Sequence, residues 1–257
     1  MDPLLWAQTL ARLPFLRGLT DEERERLRLC AVLFLHYKFI QGAGGLFVDE
    51  SMRLMIAAQA CILILNLDID YYQGWSEVIV YPDEFVPTIE YTDEVGVVHR
   101  DREPRAGEAW LRGPLILSWA DVPPASGTDG VNVVIHEFAH KLDMLNGDAN
   151  GFPPLHRGMS REEWSLAFSA AYADFERRIE AHEELPLDPY ASESPGEFFA
   201  VMSEAFFEIP HVVLTYYPQV YRQLHQFYRQ APCYVPLWFR LIFPIWMRVR
   251  NEACVTK

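Results

Sequence analysis

At 257 residues, half of them apolar and 14% aromatic, the chain can bury a sizeable core as one domain, or as one domain with a small appendage. Its 23% of charged residues fits a folded chain and not a disordered one. The net charge of −14 and pI near 5.0 argue against nucleic acid, whose phosphates need a basic face, and against anionic lipid surfaces.

The N-terminal run MDPLLWAQTLARLPFLRGL has no basic leader and is interrupted by Arg12 and Pro14, so no secretory signal is expected. Residues 20–37 open Thr-Asp-Glu-Glu, acid in the first turn, and predict an amphipathic helix. The stretch from Glu50 to about Leu67 is rich in helix formers and nearly apolar late on, which predicts a core helix too short to span a bilayer. From Val78 to Trp119, β-rich runs (EVIVY, EVGVVH, PLILSW) are separated by Pro, Gly, Asp and Glu and predict a small antiparallel or mixed sheet. A loop follows, then a helix containing VVIHEFAHKLD, a long helix over 161–180, another from Pro195 and a last one after His211. The pattern is α+β: residues 1–50 a helical appendage, 51–232 the main domain, 233–257 an apolar tail. Cys30, Cys61, Cys233 and Cys254 form no CxxC pair and read as reduced thiols of a cytoplasmic protein.

His136 and His140 are four apart with Glu137 between them, so both imidazoles share one face of a helix. This HExxH pattern can bind zinc and place a glutamate to take a proton from the attacking water, though two half-buried histidines and a solvated glutamate would give the same five letters. A catalytic zinc needs a third protein ligand. His156, His182, His211 and His225 lie downstream, and SPGEFFAVMSEAFF offers Glu197 and Glu204 on one face of an apolar helix. Glu197 also fits a capping box opened by Ser194, and Glu204 could be a surface carboxylate, so spacing does not choose between them.

The run DGVNVVIHEFAHKLDMLNGD, with YPDEF upstream and PYASESPGEFFAVMSEAFF downstream, resembles the MtfA (Mlc titration factor A) family of zinc metallopeptidases from about Leu13 to Pro232. The resemblance implies a zincin-like domain similar in its catalytic core to the anthrax lethal factor protease domain. It implies one zinc per chain on His136, His140 and Glu197, with Glu137 as general base and acid. Tyr190 would face the metal and donate to an oxyanion. Glu204 becomes a candidate to hold the outer nitrogen of a ligand histidine, with Asp143 its rival and Asn132 on the same face as His136. The family also implies aminopeptidase-type cleavage of small peptide substrates and binding of Mlc, a repressor of glucose-uptake genes. Residues 114–119, the last strand before the helix, are expected to form the sheet edge that pairs with substrate.

Two other readings use the same residues: a binding module that sequesters a regulator around a structural zinc, and a hydrolase of non-peptide amides. The tail from Tyr234 to Val249 is apolar and aromatic but broken by Arg240 and Pro244, which disfavours a span and favours packing on the domain over membrane contact. A tail covering the cleft would act as a lid, and truncation after Pro232 would then raise activity.

Overall fold

The structure, a computed structural model, describes residues 1–83, 89–92, 98–101, 107–109, 113–122 and 129–232. The apolar tail 233–257, with Cys233 and Cys254, lies outside the described residues. Helix α1 (Pro3–Ala11) starts on the Asp2 side chain, which accepts the Leu4 amide at 2.8 Å. Helix α2 (Asp21–Tyr37) begins at a complete capping box, Thr20 and Glu23 each bonding the other's backbone amide. A four-residue strand β1 (Phe39–Gly42) follows, then the core helix α3 (Glu50–Leu63), capped by Asp49. Strand β2 (Glu77–Tyr81) alternates half-exposed and buried residues, with Val78 and Val80 inside.

Strands β3 (Ile89–Thr92) and β4 (Val98–Asp101) form a separate antiparallel pair. Strands β5 (Gly107–Ala109) and β6 (Leu115–Ser118) complete the main sheet, whose order is β1-β2-β6-β5. Helices α4 (Val133–Asp143), α5 (Arg161–Glu180), α6 (Pro195–Glu208), α7 (Pro210–Tyr216) and α8 (Pro218–Tyr228) follow. Phe198, Phe199, Phe206 and Phe207 of α6 pack with Trp164 and Phe168 of α5 and with Phe227 and Tyr228 of α8. One continuous apolar cluster runs from Trp6 to Tyr228.

Three expectations need correction. The sheet is not mainly antiparallel: β1 pairs with β2 and β2 with β6 in parallel, and only β5 runs against its neighbour. Parallel pairing needs a long crossover, and α3 supplies it between β1 and β2. Residues 114–119 do not form the edge, because β6 is paired on both sides; the edge beside α4 is β5. The final helix is two, since Pro218 lacks the amide that would continue α7 and instead opens α8. Among the described residues no helix is long and apolar enough to cross a membrane.

Candidate metal centre

The histidine helix is fixed by its other face. Val134, Ile135, Phe138, Ala139 and Leu142 are buried, and the Phe138 ring packs against Phe34, Tyr72 and Trp75 with centroids 5.1–5.7 Å apart. Lys141 adds a second anchor, donating to the Gly113 carbonyl at 3.0 Å while its ammonium lies 4.8 Å from the centre of the Trp75 ring. Lys38 sits 3.8 Å from the same ring and is buried, which lowers its pKa to about 8. With one side so held, His136 and His140 point toward α6.

Three donor atoms converge there. His136 Nε2 is 2.8 Å and His140 Nε2 3.2 Å from Glu197 Oε2, and the two nitrogens are 3.1 Å apart. Ligands at about 2.0–2.1 Å from a tetrahedral cation stand ~3.3 Å from one another, so this spacing fits one small ion shared by all three. Charge fits as well. Glu137, Glu197 and Glu204 surround the two imidazoles; although burial opposes it, Glu204 and Glu197 drive the His136 pKa well above its ordinary value. Burial also works against Glu197, yet its bonds to His136 and His140 hold its carboxyl well below the usual range. Two imidazoles and a carboxylate in a net negative pocket suit a borderline cation such as zinc.

Glu197 and Glu204, the two α6 glutamates that the sequence offered as ligands, each have their own place. Glu204, two helical turns further along the same face and 4% exposed, lies 2.7 Å from His136 Nδ1, the outer nitrogen, and accepts from it. This fixes the ring so that Nε2 faces the site, as metal-binding histidines usually require. Glu197 makes only half of its expected capping box: Ser194 Oγ accepts the Glu197 amide at 3.2 Å, but the Glu197 carboxylate goes to the histidines instead of back to Ser194. Glu137 is 5% exposed, with Oε2 buried and without a hydrogen-bond partner among the described residues. Burial pushes its carboxyl up to about 6. Tyr190, about half exposed in the 3₁₀ turn Pro189–Ser192, places its ring centroid 6.0 Å from that of His136, at the mouth of the site.

The other histidines stand elsewhere. His156 bonds the Phe227 carbonyl at 2.7 Å and Tyr71 at 3.1 Å, and His225 bonds the Gln230 carbonyl at 2.7 Å. Asp143 does not hold His140. Its Oδ2 accepts the Gly151 amide at 2.6 Å and so ties the end of α4 to the loop before α5. Sequence reasoning missed two residues behind the site, Gln59 and Glu208, although a lone glutamine in the apolar half of α3 and a glutamate between Phe207 and Ile209 were visible signals.

Glu208 is 2% exposed; Asn132 Nδ2 donates to its Oε1 at 2.8 Å, while its buried Oε2 has no partner among the described residues. Burial pushes its carboxyl up to about 7 from an ordinary 4.5. A carboxyl raised on folding contributes stability that is fully present below 4.5 and lost as pH rises through 7. Glu208→Gln, permanently neutral, is therefore expected to match the wild type near pH 4 and to exceed it by about 3 kcal/mol at pH 8.5. Thermal melts at the two pH values check this; equal melting points at pH 8.5 would contradict it.

An HExxH helix whose two histidines meet a glutamate from a second helix is the arrangement of a metallopeptidase centre. Residues 1–229 match the glucose-regulated metallo-peptidase M90 family, and the chain belongs to it. It is 36% identical to Mlc titration factor A of Cronobacter sakazakii, over 90% of this chain and 88% of that one. Against the proteins of the same name from Escherichia fergusonii and Salmonella arizonae it is 38% identical, over 88% and 89% of this chain and 86% and 91% of theirs.

Proposed function

We propose that the protein is a cytoplasmic zinc-dependent peptidase of aminopeptidase type, with a zincin-like catalytic domain over residues 51–232 and residues 1–50 packed on it. The observation that carries this is the meeting of His136, His140 and Glu197 at one point with buried Glu137 beside them. When bound, the ion supplies Lewis acidity to a carbonyl and makes water a stronger acid. His136, held by Glu204, and His140 and Glu197 keep the donor set in place. Glu137, with a carboxyl near neutrality, takes the proton of the attacking water and returns it to the leaving amine. Tyr190, beside His136 at the mouth, donates to the oxygen that gains charge in the transition state. The edge strand β5, adjacent to α4, is placed to pair with an extended peptide by backbone hydrogen bonds.

A second reading is favoured by the relatives' name, which describes titration of Mlc. On it the chain binds an Mlc-like repressor, with or without turnover. The deciding experiment offers amino-acid anilides to zinc-loaded protein. Hydrolysis is expected, lost on chelation and lost together with stoichiometric zinc in His140→Ala. Stoichiometric zinc without hydrolysis of any anilide would remove the aminopeptidase reading and leave the binding one.

A further inference from the structure

Asn132 opens α4, and its hydrogen bonds exceed what a helix cap requires. A cap uses the side-chain oxygen, and Asn132 Oδ1 does accept the Ile135 amide at 2.9 Å. Both hydrogens of its side-chain amide are spent elsewhere: Nδ2 donates to Gln59 Oε1 on α3 at 2.7 Å and to Glu208 Oε1 on α6 at 2.8 Å. Its backbone amide donates to Glu204 Oε2, and its carbonyl accepts the His136 amide at 2.9 Å. Gln59 is in turn fixed, its Nε2 donating to the Met55 and Val122 carbonyls at 3.2 and 3.3 Å. All four side chains are nearly excluded from solvent, at 5% for Asn132, 0% for Gln59, 4% for Glu204 and 2% for Glu208.

We infer that Asn132 is a positioning residue for the metal centre, acting on His136 through Glu204. It joins three helices at the point where α4 begins, and none of its hydrogen bonds goes to a donor atom of the centre. One of its amides holds the oxygen of Glu204 opposite the one that takes His136 Nδ1. Movement of the first turn of α4 away from α6 would therefore turn the His136 ring away from Glu197. An aspartate at this place could still cap the helix, but it would lose both donors and set a third carboxylate against Glu204 and Glu208.

The inference rests on His136 being a metal ligand, and the test separates the two. Zinc affinity of the full chain is measured by competition with a chromogenic chelator, and the visible spectrum of the cobalt-loaded protein reports the donor geometry. A wild-type chain that binds no zinc overturns the metal reading and this inference with it. With a zinc-binding wild type, Asn132→Asp is expected to bind about ten- to a hundredfold more weakly and to alter the cobalt spectrum. Adding Glu208→Gln, which returns a donor across the same contact, is expected to recover most of the loss. If Asn132→Asp does not fold, Gln59→Met removes one of the two amide partners and should lower affinity in the same direction by less. Wild-type affinity in a folded Asn132→Asp or Gln59→Met variant would overturn the inference. So would a loss that Glu208→Gln fails to recover, because that marks an ordinary packing role.

Discussion

Glu137→Gln is expected to bind zinc as the wild type does and to lose turnover by about a hundred- to ten-thousandfold, the usual contribution of a positioned general base. The substitution is nearly isosteric, and Glu137 accepts no hydrogen bond at its buried Oε2 among the described residues, so little in the fold depends on its charge. Removing a buried carboxylate that desolvation already disfavours should, if anything, raise the melting temperature slightly. Activity and metal content thus separate in this variant, whereas His140→Ala loses both. An Mlc-like partner, if one binds, should be retained by Glu137→Gln as long as binding needs the shape of the site and not its chemistry. Full activity in this variant would rule out the mechanism.

The second large effect concerns a residue that touches no donor atom. Gly151→Ala is expected to destabilise the fold by about 3 kcal/mol, lowering the melting temperature by roughly 6–12 °C, and to weaken zinc binding. Gly151 has φ +76°, and a Cβ there would lie 2.4 Å from the Pro195 carbonyl oxygen, which is backbone and has nowhere to swing. Its amide is held by Asp143 and its carbonyl by the Trp164 indole at 3.0 Å, so the loop is fixed from both sides. The displaced partner must then be the first turn of α6, two residues before Glu197. Gly196 shows the same closeness, with Ala149 O at 2.9 Å from its missing Cβ. Melting curves and chelator competition on Gly151→Ala give both quantities, and an unchanged zinc affinity would show that the start of α6 yields without moving Glu197.

The sequence made the local features legible and hid the long-range ones. Helix α5 has the predicted bounds because Ser160 caps it, with its oxygen accepting the Glu163 amide, and acidic residues fill its first turn. The HExxH helix is legible because two histidines one turn apart need only the geometry of a single helix. Strand β1 was invisible: FIQG is four residues with no sustained alternation, and only its pairing with β2 makes it a strand. The direction of the sheet was hidden for the same reason, since parallel and antiparallel strands share one local pattern. Glu197 and Glu204 lie on one face, so spacing left their roles open, and the tertiary distances to opposite nitrogens of His136 separate them. Asp143 looked equally able to hold His140, and the fold instead gives it the Gly151 amide.

The donors come from two helices, and 61 residues separate His136 from Glu197. At synthesis rates of about 5–20 residues per second, the two histidines leave the ribosome roughly 3–12 s before the glutamate that completes the set. During that interval a nascent chain offers a cation only two imidazoles on a helix whose packing partner α6 does not yet exist. On the proposed metal reading, loading is therefore tied to a late stage of folding, after α6 has been made and docked onto the histidine helix.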